Sequence, residues 1–326
     1  MNDILFDHIP SLDLQNFISG NKEKQAAFVQ DLGLAFQNIG FVTILNHGLK
    51  KEIQVQLYAA IKQFFSLEEE IKLKYQHPEI GFQRGYTGKG KEHAKGKNTG
   101  DLKEFYHVGQ DLDLIPNSDP VKKSYPPNVW PEEIPQFKEI SLNAFQIIEE
   151  TGKILLQAIS LYLGLPPDFF ADKVEYGNSI LRQIHYYPIE NPAKIPRDAV
   201  RAAEHGDINL ITLLMGASAE GLQVRRKDGE WIPITADPEQ LVVNVGDMLE
   251  RLTNKKLGST IHRVVNPPLE KMNSSRYSIP FFMHPRADMD LSCLPICVDE
   301  QHPKSFEDIT AGDFLDERLR ELGLKN

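Results

Sequence analysis

Along the first half of the chain, apolar residues recur at three- and four-residue steps, the spacing that lines one face of an α-helix. This pattern runs through NKEKQAAFVQDLGLAFQNIG (21–40), KEIQVQLYAAIKQFFSLEEEIKLKY (51–75) and IPQFKEISLNAFQIIEETGKILLQAISLYLGL (134–165), predicting helices there. Between the first two lies FVTILNHG (41–48), a β-branched run closed by Asn-His-Gly that reads as a strand entering a turn. Residues 81–100, GFQRGYTGKGKEHAKGKNTG, follow neither period and read as a loop. Beyond Tyr176 the period changes. The short runs SILRQIHYYP, INLITLLM, LQVRR, WIPIT, QLVVNVG, IHRVVN and RYSIPFFM, separated by Gly, Pro and Asp, predict strands of a sandwich or barrel. Asp228-Gly229 predicts a hairpin turn between two of them.

The expected fold is therefore mainly β with flanking helices. No repeat and no Ser/Pro-rich linker divides the chain, so the pattern predicts one domain over 1–326. Within it, 1–175 is a mainly helical flank with the first strands and a variable loop, 176–290 is the β-core, and 291–326 is a C-terminal segment.

Composition narrows the function classes. Thirty-six basic residues stand against 46 acidic ones, a net charge of −10, which disfavours a nucleic-acid surface. The start MNDILFDHIP has no basic and apolar leader pattern, and no run approaches the ~18 apolar residues of a membrane span, so a cytoplasmic protein without a membrane partner is expected. Cys293 and Cys297 are too few for a disulfide framework and are expected as free thiols.

The candidate chemistry starts in AEHGDINLIT (203–212). On a strand, His205 and Asp207 would share one face, with Gly206 between them permitting close backbone approach. A third ligand must come from another strand, and His262 in STIHRVVN is best placed, opening a β-branched run after a turn containing Gly258. Two His and one carboxylate on one face of an octahedron suit non-haem Fe(II); the same set can hold catalytic zinc. In SSRYSIPFF, Arg276 and Ser278 also share a strand face, a guanidinium fork beside a hydroxyl that suits one ligand carboxylate.

Taken in order, IPSLDL, GFVTILNHG, FFSLEEEIKLKY, DLKEFYHVG, LRQIHYYP, His-x-Asp, LVVNVGDMLERLTN, His and Arg-x-Ser resemble the isopenicillin N synthase-like family of Fe(II)/2-oxoglutarate-dependent dioxygenases nearly end to end. The resemblance implies a double-stranded β-helix, or jelly roll, in 176–290, with Fe(II) on His205, Asp207 and His262. It further implies that 2-oxoglutarate chelates the iron through its keto acid end while Arg276 and Ser278 hold its distal carboxylate. Tyr187 stands where many members carry a co-substrate-binding tyrosine. Strand alternation separately puts Gln183, His185 and Tyr187 in one row, expected to face the lumen; many plant members carry Asn where His185 stands.

The implied activity is oxidation of a small molecule, hydroxylation foremost, consuming dioxygen and releasing succinate and carbon dioxide. No catalytic residue beyond the metal ligands is implied. An oxidase without 2-oxoglutarate, its Arg276 clamping the substrate's own carboxylate, is an alternative, as is a non-catalytic binder of the same fold. His47 is expected to be structural, and His107, His185 and His284 to lie outside the ligand set. From Arg84 to Lys103, six basic residues face two acidic ones, which reads either as a solvated loop or as a lid that steers an anionic substrate.

Overall fold

The computed structural model describes residues 5–92, 100–191, 199–215, 221–235 and 237–321. Its first half contains β1 (Ser11–Asp13), α1 (Gln15–Ile18), α2 (Lys22–Asn38), β2 (Phe41–Leu45), α3 (Lys51–Phe65), α4 (Glu69–Leu73), β3 (Gly85–Thr87), β4 (Glu104–Gly109), α5 (Val121–Ser124), α6 (Phe137–Tyr162) and α7 (Ala171–Val174). The second half contains β5 (Ile180–Tyr186), β6 (Ala202–His205), β7 (Ile211–Met215), β8 (Leu222–Arg225), β9 (Trp231–Pro233), β10 (Leu241–Val245), α8 (Asp247–Leu252), β11 (His262–Val264), β12 (Arg276–Met283) and α9 (Ala311–Glu321).

Eight strands form a major sheet in the order β1-β2-β10-β7-β12-β5-β4-β3, and four form a minor sheet, β6-β11-β8-β9. The major sheet is covered on both faces, which explains why its central strands read as almost unbroken apolar runs. One face packs under α2, α3 and α6 in a core that includes Phe36, Phe64, Phe145, Leu213 and Phe281. The opposite face closes on the minor sheet around Phe41, Phe105, Ile184, Tyr186, Leu214, Val224 and Val242. This is the expected jelly roll with flanking helices, and the Asp228-Gly229 hairpin joins β8 to β9 as its turn residues predict.

Local chemistry sets the elements that carry the site. Asn21 starts α2 by accepting a hydrogen bond from the Lys24 N–H at 3.1 Å. The helix gives way to Gly40, which has φ of 72° and where a Cβ would lie 2.7 Å from the Gly258 carbonyl oxygen. Only glycine satisfies both conditions, and the contact lays the segment before β11 alongside β2.

Three expectations are corrected. Residues 51–75 form two helices, because Ser66 turns its hydroxyl to the Gln63 carbonyl at 2.8 Å and Glu68 is extended, a local bond that competes with helix continuation. Residues 81–100 are not all loop. Gly85–Thr87 forms β3 against β4, held by the Tyr86 N–H on the Tyr75 carbonyl at 2.8 Å, and three residues are too few to display a period. Arg84, expected in a solvated loop, is fully buried, and residues 93–99 of that stretch lie outside the described residues.

The third correction concerns β5. Its register with β12 sets Tyr186 opposite Arg276 and Ile184 opposite Ser278, so these residues share the lumen face. Gln183 and His185 point the other way: Gln183 donates to Ser141 Oγ of α6 at 3.0 Å, and His185 lies 2.8 Å from Glu104 and 2.9 Å from Ser275. Tyr187 follows the strand and packs with Leu102, Ile189 and Met272. Period two fixes the alternation but not which phase faces inward, and here buried partners on the outer face take the Gln183 amide N–H and both His185 ring nitrogens.

His47 has the structural surroundings expected of it, lying 3.1 Å from the Glu239 carbonyl and accepting from the Leu49 N–H at 3.3 Å. Both cysteines are free thiols, and no helix among the described residues is long and apolar enough to cross a membrane.

Candidate metal centre and co-substrate pocket

His205 ends β6, His262 begins β11, and the two residues are direct partners across the antiparallel pair, with ring centroids 4.4 Å apart. Asp207 is not a strand residue, as alternation would require, but lies two positions beyond the end of β6. A Cβ at Gly206 would sit 3.0 Å from Ser259 Oγ and 3.1 Å from Asp247 Oδ1, so the glycine lets the chain close tightly here. The Asp207 carbonyl then accepts the Asp247 N–H at 2.7 Å, fastening this bend to the start of α8.

Hydrogen bonds determine which donor atoms face one another. His205 Nδ1 lies 2.7 Å from the Ala203 carbonyl and His262 Nδ1 lies 3.1 Å from the Thr260 carbonyl, so each ring is protonated on Nδ1 and presents Nε2. Asp207 Oδ2 accepts from Thr212 Oγ1 at 2.6 Å and from Asn244 Nδ2 at 2.7 Å. Its other oxygen faces His262 Nε2 at 3.7 Å. Among the described residues, these three offer ligand atoms within 4.8 Å of one another.

Burial raises the Asp207 carboxyl pKa, but His262, His205 and the two hydrogen bonds outweigh it and leave the group below its ordinary value. Burial, then the neighbouring His262, pushes His205 down to about 4. Asp207 is thus held as the carboxylate and His205 as the neutral imidazole, the forms that bind metal at neutral pH. Two imidazole nitrogens and one carboxylate oxygen fit the two-His-one-carboxylate face of non-haem iron.

Thr212 and Asn244 escaped the reading of the sequence. They sit opposite each other on β7 and β10, and their signal was a single polar residue inside each of the apolar runs LITLLM and LVVNV.

Arg276 and Ser278, the residues expected at a ligand carboxylate, are 1% and 4% exposed on β12. The Arg276 guanidinium lies 4.8 Å from the Tyr186 ring centroid. The tyrosine beside this arginine is therefore Tyr186 and not Tyr187, whose ring lies under Lys89 Nζ at 5.0 Å. The sequence offered two adjacent tyrosines, and only the strand register separates them.

A cavity of ≈ 380 Å³ opens beside His205 and Asp207. Phe105, His107, Arg182, Phe282 and His284 line it from the major-sheet side, and Leu315 and Arg318 from α9. Arg182 donates Nε to His107 at 2.7 Å and pairs with Glu92 at 3.1 Å, its guanidinium 4.4 Å from the Phe105 ring centroid and 5.1 Å from that of Phe282. Lys103 pairs with Glu92 at 3.2 Å and with Asp101 at 2.8 Å. Burial raises Glu92, yet Arg182 and Lys103 hold it far below the usual carboxylate range. Much of the described charge between Arg84 and Lys103 is therefore turned inward, into the cavity wall. His107 and His284 stand in that wall outside the metal-ligand group, and burial lowers both, His284 to about 4.

Residues 177–285 match the family model of the 2OG-Fe(II) oxygenase superfamily, and residues 9–133 match that of the non-haem dioxygenase in morphine synthesis N-terminal. A proline hydroxylase of Petromyces alliaceus is 32% identical over 324 residues, covering 95% of this chain and 98% of that protein. The crystal structure of a 2OG-Fe(II) oxygenase family protein from Caulobacter crescentus is similar with a TM-score of 0.85 at 42% identity, over 96% of this chain and 98% of that one. A full-length Neurospora crassa protein crystallised in complex with alpha-KG gives 0.83 at 30% identity over 96% of each chain, and the same protein has been solved with alpha-KG and thymine.

Proposed function

The chain belongs to the 2OG-Fe(II) oxygenase superfamily and is a 2-oxoglutarate-dependent dioxygenase that uses Fe(II), and from that premise we propose that His205, Asp207 and His262 hold the iron while Arg276, Ser278 and Tyr186 receive the distal carboxylate of 2-oxoglutarate. The reading rests on the orientation of the donors. Both Nδ1 atoms and one Asp207 oxygen are tied to protein groups, which turns two Nε2 atoms and the remaining oxygen toward a common point. When bound, the iron and 2-oxoglutarate supply oxidation of a substrate carbon by dioxygen, with release of succinate and carbon dioxide.

The chain's own residues contribute orientation and exclusion. Thr212 and Asn244 fix the Asp207 carboxylate, and Phe105 and Phe282 keep an apolar wall beside the site. The substrate belongs in the ≈ 380 Å³ cavity, a volume suited to a small molecule. Arg182 and Lys103, each paired with Glu92, make part of that wall strongly polar and favour a substrate carrying a polar group, with hydroxylation as its fate. Two relatives are named for, or solved with, small polar molecules, proline and thymine. A cytoplasmic setting is supported by the two free thiols, and no nucleic-acid role by the net charge of −10. No separate observation favours an oxidase without 2-oxoglutarate or a non-catalytic binder.

Anaerobic addition of Fe(II) and 2-oxoglutarate is expected to produce a visible metal-to-ligand charge-transfer band that zinc cannot give. Admitting air should then yield succinate slowly even without the true substrate. The absence of the band, of succinate and of any thermal protection by 2-oxoglutarate would together overturn the reading.

A further inference from the structure

We propose that Arg201 is a second guanidinium for the distal carboxylate of 2-oxoglutarate, acting beside Arg276 and setting the preference for a dicarboxylic over a monocarboxylic 2-oxo acid. The inference rests on the co-substrate pocket proposed above. Arg201 immediately precedes β6, four positions before His205, and is 2% exposed. Its Nη2 donates to the Ser274 carbonyl at 3.1 Å, while its buried Nε has no hydrogen-bond partner among the described residues.

Burying a guanidinium with one neutral acceptor is costly, and a second cation nearby raises that cost. Both conditions hold here. The Arg201 guanidinium lies 5.9 Å from the Tyr186 ring centroid and that of Arg276 lies 4.8 Å from the same centroid, so two buried cations converge on one phenol. Burial first, then the charge of Arg276, lowers the pKa of Arg201, and the Tyr186 phenol opposes them.

With Arg201 Nε unpartnered among the described residues and a second guanidinium on the same phenol, the arrangement is suited to receive an anion. A carboxylate offers two oxygens and about four lone-pair sites, enough for both guanidinium groups and the Ser278 hydroxyl. A 2-oxo acid without that second carboxylate would leave the Arg201 charge uncompensated. Because Arg201 sits at the head of the strand that ends in His205, one short strand would place both the distal carboxylate and a metal ligand.

The test compares 2-oxoglutarate with 2-oxopentanoate, which carries a methyl in place of the distal carboxylate, on Fe(II)-loaded protein under argon. Affinities are read from the charge-transfer band and, independently, from thermal shift. Arg201→Gln is expected to weaken 2-oxoglutarate about 10- to 100-fold and to leave 2-oxopentanoate unchanged, with Arg201→Lys losing less. Without ligand, the Gln variant should melt no lower than wild type, since a like-charge contact has been removed. Equal weakening of both acids, unchanged 2-oxoglutarate affinity in both variants, or a lower melting temperature without ligand overturns the proposal. A wild type that binds no 2-oxoglutarate would instead overturn the pocket reading from which it starts.

Discussion

Asp207→Ala is expected to fold and to lose its iron. Two imidazoles remain in that variant, but the hard anionic donor is gone, and so is the group on which Thr212 and Asn244 converge. Replacing groups that merely orient a metal ligand typically weakens metal binding about 10- to 100-fold, so loss of the ligand itself should exceed that range. Thr212→Val and Asn244→Leu should fall within it, which separates the ligand from its supports. Stability should drop as well, by about 1 to 3 kcal/mol for each buried donor left without its acceptor. The jelly roll survives because Asp207 belongs to neither apolar core. Metal content after gel filtration, read beside near-ultraviolet circular dichroism, checks both parts; full iron occupancy in a well-folded Asp207→Ala protein would remove the residue from the ligand set.

The second large effect is expected at Arg276. Truncating one side of a buried charge-assisted pair costs about 2 to 4 kcal/mol, so Arg276→Ala should weaken 2-oxoglutarate roughly 30- to 700-fold with iron binding little changed. Arg276→Lys should recover only part, since a point charge cannot reproduce a planar fork. Tyr187→Phe should bind 2-oxoglutarate as wild type does, because that ring lies beyond the end of β5. An unaltered 2-oxoglutarate titration in Arg276→Ala would move the carboxylate site elsewhere.

Much of this was legible in the chain. Arg-x-Ser is spaced by strand geometry, and the ordered family motifs supply the topology. What stayed hidden depended on contacts between segments distant in sequence. In LRQIHYYP the polar residues Gln183 and His185 made the wrong phase look like the lumen, because their partners, Ser141 and Glu104, lie 42 and 81 residues away. Asp207 comes beside His205 through a bend that Gly206 and Asp247 permit, and not through the strand alternation that the spacing suggests. Arg201 has no local mark at all. Only the approach of β6, β5 and β12 at one end of the lumen brings it to Tyr186 and Arg276.

The proposed iron ligands do not belong to one sheet. His205 and His262 are on β6 and β11, while Asp207 is fastened through Thr212 and Asn244 to β7 and β10 of the opposite sheet. An ion held there rivets the two halves of the sandwich, and it can do so only after they have met. If the folding transition state is reached before the sheets close fully, iron has nothing to bind at that stage and leaves the folding rate alone. Its contribution then falls on the unfolding limb, lengthening the lifetime of the loaded protein. Iron status would thereby set how long each molecule lasts as well as whether it works.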